Sequence, residues 1–145
     1  MPCSLNESLG FLVNSTANAM KKRFNTFLKP YTLTVEQFVI LQSILENPLV
    51  TQTQLAEHTS KDKTTLTRML DTLQKNDLII KKTQEGDKRA YVLSLSQKAS
   101  DLMEEILPQM QLVHNNMQQH FTQDEIKTFT SVLHRLKTEN CLEKL

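Results

Sequence analysis

Apolar residues along this chain recur every three or four positions in long runs, interrupted once, past the middle, by a region of alternating positions. The first spacing places side chains on one face of a helix, and the second on one face of a strand. Four hydroxyl residues are each followed three positions later by Glu or Gln: Ser4 with Glu7, Thr34 with Gln37, Thr51 with Gln54 and Thr122 with Glu125. Each pair fits a capping box, in which the two side chains satisfy each other's backbone N–H at a helix start. These signals predict a first helix over about 5–28, ending before Pro30, and a second over about 35–46, ending before Pro48. A residue preceding proline is pushed out of the helical region. A short third helix over about 52–58, a turn at Thr59 and Ser60, and a fourth helix over about 61–75 follow.

Residues 79–83 and 90–95 are β-prone and flank a connection at 84–88, with Tyr91, Leu93 and Leu95 on one face at period two. A lone hairpin is marginal in water, so this one must lean on the neighbouring helices. Beyond Ser96 the helical spacing returns through Leu102, Ile106, Met110, Val113 and Met117. Pro108 interrupts it and is expected to bend the helix near Glu104, whose carbonyl loses its amide partner. A last helix over about 123–138 carries Ile126, Phe129, Val132, Leu133 and Leu136. The pattern predicts a mainly α chain with a small two- or three-stranded antiparallel β-wing.

Composition narrows this picture. At 145 residues the chain is expected to be one domain. Gly10 and Gly86 are its two glycines, so breakers are few, and Gly86 falls where a ribbon needs its turn. Apolar runs are too short to span a bilayer and no signal-peptide pattern opens the sequence, so a cytoplasmic protein with no membrane partner is expected. Cys3 and Cys141 lie near opposite ends and, in a reducing compartment, read as free thiols.

The net charge of +1 hides an uneven distribution: zero over residues 1–60, +4 over 61–98 and −3 over 99–145. Positive charge thus gathers on the fourth helix and the ribbon, where neutralised phosphates would add salt-sensitive affinity. Lys61, Lys63, Thr64, Thr65, Thr67 and Arg68 form the polar side of that helix, while Leu66, Met69, Leu70 and Leu73 face inward. Hydroxyls bond phosphate or base, threonine methyls meet thymine, and Arg68 reaches guanine or phosphate. At the ribbon tip, Lys88 and Arg89 suit a narrow minor groove, with Asp87 orienting Arg89 through a carboxylate–guanidinium bond. A cationic helix beside a cationic hairpin is the layout of a winged helix-turn-helix, which makes double-stranded DNA the leading partner.

Leu55-Ala56-Glu57, Lys63-Thr64-Thr65-Leu66-Thr67-Arg68, Leu78-Ile79 and Asp87-Lys88-Arg89 followed by Leu93-Ser94-Leu95-Ser96 resemble the MarR family of bacterial transcriptional regulators across nearly the whole chain. The resemblance implies one MarR-type domain over 1–145. Its dimerisation helices would be 1–30 and 97–145, its winged DNA-binding region 31–96, its helix-turn-helix about 51–75 and its wing about 79–95. It further implies a homodimer on a pseudo-palindromic promoter site, acting as a repressor released by a small-molecule inducer. Inducer-binding residues stay unassigned. Pairing through the flanking helices would give an isologous interface and set two recognition helices about 34 Å apart; folding of all three apolar stripes into one monomeric core is the alternative. Asp77 departs from the glycine that usually ends the recognition helix, and Ser96 and Ala99 from a common threonine and glycine.

Other chemistry finds less in the residues. His58, His114, His120 and His134 lack metal-ligand spacing. No phosphate-binding glycine loop or nucleophile–base arrangement stands out, so neither an enzyme nor a cofactor is expected. A thiol-based redox sensor is an alternative, because one branch of the resembled family carries a reactive cysteine early in its first helix. Here Gly10 stands at that place, and Cys3 precedes the helix. A winged helix used only for protein binding is the third reading; the basic wing argues against it, since protein interfaces favour aromatics.

Overall fold

A computed structural model of the chain describes residues 4–138, with the side chains of residues 87–90 outside that description. In chain order the elements are α1 (Leu9–Leu28), α2 (Val35–Glu46), β1 (Val50–Thr51), α3 (Gln52–Thr59), α4 (Lys63–Lys75), β2 (Ile79–Gln84), β3 (Asp87–Leu95), α5 (Gln97–Gln118) and α6 (Gln123–Thr138). The mainly α architecture with a small sheet is as expected. Two compact units divide the chain, one ending at Met103 and the other beginning at Glu104. Glu104 is the residue whose carbonyl Pro108 cannot serve, and α5 runs through both positions without interruption.

In the first unit the sheet is antiparallel in the order β1-β3-β2. The third strand is the short β1, where Val50 pairs with Leu93 and Thr51 with Val92. Ile79 pairs with Leu95 and Thr83 with Tyr91. One face of the sheet is buried through Val50, Ile79 and Leu93, with Ile40, Leu41 and Ile44 of α2, Leu55 of α3 and Leu66, Leu70 and Leu73 of α4 also inside the core. Each fully buried leucine contributes about 1.5–3 kcal/mol through the apolar area it removes from water. That core holds the helix-turn-helix and the wing in one body.

Capping places the helix starts. Thr34 with Gln37 and Thr51 with Gln54 form full reciprocal boxes. Two starts differ from expectation. Leu5–Glu7 make only a single tight turn, and the helix begins again at Leu9, capped by the Ser8 hydroxyl accepting from the Phe11 amide at 3.4 Å. Ser8 has an extended backbone (φ −74°, ψ 115°), which breaks the turn from the helix that follows. Helix α4 begins at Lys63 rather than Lys61, because Asp62 is its cap and Ser60 closes α3.

The helix ends replace glycine with other residues. Thr32, Ser60 and Asp77 have φ of 57°, 53° and 57°. In each case the residue's amide and the next one's bond back in the paired pattern of a Schellman motif. For Asp77 these are Asp77 to the Gln74 carbonyl (3.0 Å) and Leu78 to the Leu73 carbonyl (2.9 Å). Asp77 therefore keeps the geometry a glycine would supply. Leu49 (φ 62°) follows Pro48 in a turn closed by the Val50 amide on the Asn47 carbonyl at 3.2 Å, and its side chain is exposed. A left-handed residue with a side chain is strained by about 1–2 kcal/mol, only part of which glycine returns as unfolded-state entropy. Leu49→Gly and Thr32→Gly should thus each stabilise the chain by about 0.5–1 kcal/mol, read as a higher urea midpoint at unchanged slope; a lower midpoint would contradict the strain.

The second unit holds the remainder of α5 and all of α6. Thr122 and Glu125 form the box that starts α6, with the Glu125 amide donating to the Thr122 hydroxyl at 3.2 Å and the Thr122 amide to the carboxylate at 2.7 Å. No residue of α6 is buried, and Phe129, Val132 and Leu136 stand exposed along one helical face.

Candidate nucleic-acid interface

Helix α4 is strongly two-sided. Leu66, Leu70 and Leu73 are fully buried, whereas Lys63, Thr64, Thr67 and Arg68 are exposed on the other side. The Asp62 carboxylate starts the helix by accepting from the Thr65 amide at 2.8 Å and the Thr65 hydroxyl at 2.7 Å. These two bonds, the amide first, hold its carboxyl below the usual carboxylate range. A carboxyl whose folded value is depressed contributes stability above its unfolded value, here 3.8, and loses it as pH falls through the folded one. The gap in urea midpoint between the parent and Asp62→Ala should be constant near neutral pH and close below about pH 4. A gap that persists in acid would show that the carboxylate is not what starts the helix.

Hydroxyl bonding separates the expected readers into two groups. Thr65 is committed to Asp62. Thr67 donates to the Lys63 carbonyl at 2.8 Å and accepts from the Gln52 side chain at 2.6 Å, so its hydroxyl is used twice within the protein. Both threonines have spent their hydroxyl proton and can meet a base edge only through their methyls or as acceptors. Lys63, Thr64 and Arg68 remain, and neither Lys63 nor Arg68 takes part in an ion pair among the described residues. Lys61, half-buried before the cap, lies instead beside the start of α2, where it shares a groove with Glu36, Thr65 and Arg68. Partial burial pushes the Glu36 carboxyl up, yet the Lys21 ammonium bonded to it, with Lys61 further off, holds it below its usual value.

The wing departs from expectation at its tip. The turn is Glu85-Gly86, with Gly86 at φ 91° supplying the left-handed step, and Gln84 pairs with Asp87. Asp87, Lys88 and Arg89 therefore open β3 immediately past the tip rather than forming it. The expected contact between Asp87 and Arg89 falls on side chains outside the described ones. Lys82 is exposed on β2, a cation not singled out from the sequence. Lys81 is bonded to Asp71 of α4 at 2.9 Å, which ties the wing to the helix. Neither this pair nor Gln52–Thr67 follows from local spacing, because each joins elements ten or more residues apart.

Of the four histidines, His114 bonds Gln118 at 2.8 Å. Among the described residues no group of three or more His, Cys, Asp or Glu could hold a metal ion, and no helix is long and apolar enough to cross a membrane. Cys3 and Cys141 lie outside the described residues.

The model of the MarR family matches residues 33–91, from the start of α2 into β3. A mutant MarR from E. coli, solved in complex with operator DNA, has the same fold at a TM-score of 0.81 and 27% identity over 88% of this chain and 92% of that one. Residues 33–91 carry the MarR pattern, and the chain has the MarR fold. Its similarity to the HTH-type transcriptional regulator SarZ of Staphylococcus epidermidis is 27% identity over 136 residues, 94% of this chain and 90% of the relative. A MepR–DNA complex from S. aureus shares the fold alone, at 17% identity and a TM-score of 0.82. The matched segment carries α4 and the first residues of β3, the two places where the sequence concentrates positive charge.

Proposed function

We propose that this protein is a DNA-binding transcriptional regulator that works as a homodimer on a two-fold-symmetric promoter site, as a repressor released by a small ligand. The observation that carries the reading is the outward face of α4. Lys63, Thr64 and Arg68 stand exposed on it, beside a wing that continues into Asp87-Lys88-Arg89, in a family with solved operator complexes. In this reading α4 enters the major groove, Arg68 contacts a base edge, Lys63 and Thr64 hold phosphates, and Lys88 and Arg89 reach the adjacent minor groove. Lys61, Thr65, Thr67 and Asp87 support these contacts: Thr65 fixes the cap, Thr67 locks α3 to α4, and Asp87 orients Arg89.

Residues 31–96 would form the DNA-binding region, and 1–30 with 97–145 the dimerisation helices of a single MarR-type domain. Leu9, Leu12 and Val13 on α1, and Phe129, Val132 and Leu136 on α6, are exposed at helical spacing, and a second copy would cover them. No catalytic role is assigned to any residue.

Selection from a random pool of duplexes tests the reading. The protein should enrich an inverted repeat and bind it with an affinity that falls by roughly 10³ or more between 50 and 200 mM salt. Enrichment of no sequence, together with salt-independent binding, would contradict it and favour the protein-binding alternative.

A further inference from the structure

Helix α1 carries a cationic face that the recognition helix and wing do not use. No Asp or Glu occurs between Glu7 and Glu36, while Lys21, Lys22, Arg23 and Lys29 fall in that interval. Asn18, Lys21, Lys22, Asn25, Thr26 and Lys29 line one open groove, at the spacing of a single helical face. Leu28, fully buried, borders this face beside Lys21, so the face ends where the core begins. Lys21 is neutralised by Glu36. Lys22 and Lys29 are exposed and take part in no ion pair among the described residues. The Asn25 side-chain oxygen accepts from the Val35 amide at 2.8 Å, which leaves its NH2 group as the donor on this face.

Resting on the DNA-binding reading above, we propose that this face of α1 and its capping residue, centred on Lys22 and Lys29, is a second phosphate-binding surface that lies against the backbone of the bound duplex. Its chemistry is that of phosphate contact, with lysine, asparagine and threonine and no aromatic or apolar anchor such as a protein partner would need. Eleven residues of helix span about 16 Å, and a duplex presents a charge every 1.7 Å or so of its axis, so the face meets several phosphates. It is also continuous with the proposed interface. Glu36, which binds Lys21, forms the wall of the groove that holds Lys61, Thr65 and Arg68.

The test compares the full-length parent with the double variant Lys22→Gln, Lys29→Gln on a duplex the parent has selected from a random pool, and on an unrelated duplex of equal length. Two contacts per protomer should lower the slope of log affinity against log salt by about 2–4, and affinity at moderate salt by roughly tenfold, equally on both duplexes. In parallel, Lys22→Cys in a Cys3→Ser, Cys141→Ser background, carrying a tethered iron–EDTA group, should cut the selected duplex over a few neighbouring nucleotides. An unchanged slope overturns the proposal, as does a lowered slope without localised cutting, which would reduce the lysines to a long-range field. If the parent selects no duplex from the pool, the DNA-binding reading fails and the proposal with it. Binding by the parent with no difference in the variant rejects the α1 surface alone.

Discussion

Arg68→Ala should reduce affinity for the selected duplex by about 1–3 kcal/mol while changing affinity for unrelated duplex far less, so that the ratio between them collapses. Arg89→Ala should weaken both alike. The difference comes from where each residue stands in the fold. Arg68 sits on the second turn of α4, on the face opposite Leu66, Leu70 and Leu73, where a helix in the major groove presents its side chains to base edges. Arg89 opens β3 three residues after Gly86, where a wing meets the sugar–phosphate wall of the narrower groove. Thr67→Val should mimic Arg68→Ala only weakly, since the Thr67 hydroxyl is already spent on Lys63 and Gln52. Binding titrations on both duplexes check this, and parent-like binding by both arginine variants would refute the assigned roles.

Dissociating the dimer should have the larger effect. Leu9→Glu with Leu12→Glu places two carboxylates on the exposed apolar face of α1, where a second copy would bury them. Sedimentation should show a monomer with helix content unchanged by circular dichroism. Affinity for the inverted repeat should fall by roughly 10²–10⁴, because each half-site is then bound without the effective concentration that linkage provides. A single half-site should be bound by parent and variant to within a few-fold. If the variant sediments as the parent does, these leucines are not what joins the copies; if it is a monomer yet binds the full repeat unimpaired, pairing is not what creates the affinity.

Local chemistry was legible in the sequence, and chemistry across elements was not. Thr34 with Gln37, Thr51 with Gln54 and Thr122 with Glu125 each start a helix where the hydroxyl and its partner predict, and α2 and α6 have their expected ends. Ser4 with Glu7 has the same spacing but yields only one tight turn, because Ser8 offers a competing cap. Asp62 starts α4 without the Glu or Gln that marks a box, so nothing in the local spacing separates Lys61 from the helix it precedes. Left-handed positions are read from glycine, and here Thr32, Leu49, Ser60 and Asp77 take them instead. The strand Val50–Thr51 is too short for any periodicity and exists only because β3 pairs with it. The same holds for the candidate site: the cationic residues stand out by type, but which hydroxyls are free depends on Gln52 and Asp62, each fixed by the folded chain.

Those free groups define the central claim, that α4 and the wing of two paired copies lie together on one duplex. Hydroxyl-radical footprinting of the selected duplex tests it most directly. Two symmetric protected patches on one side of the duplex, centred about 34 Å apart and flanked by weaker protection in the minor groove, are the predicted result. A single unsymmetric patch, or protection that vanishes with the paired leucines intact and the arginines unaltered, would contradict it.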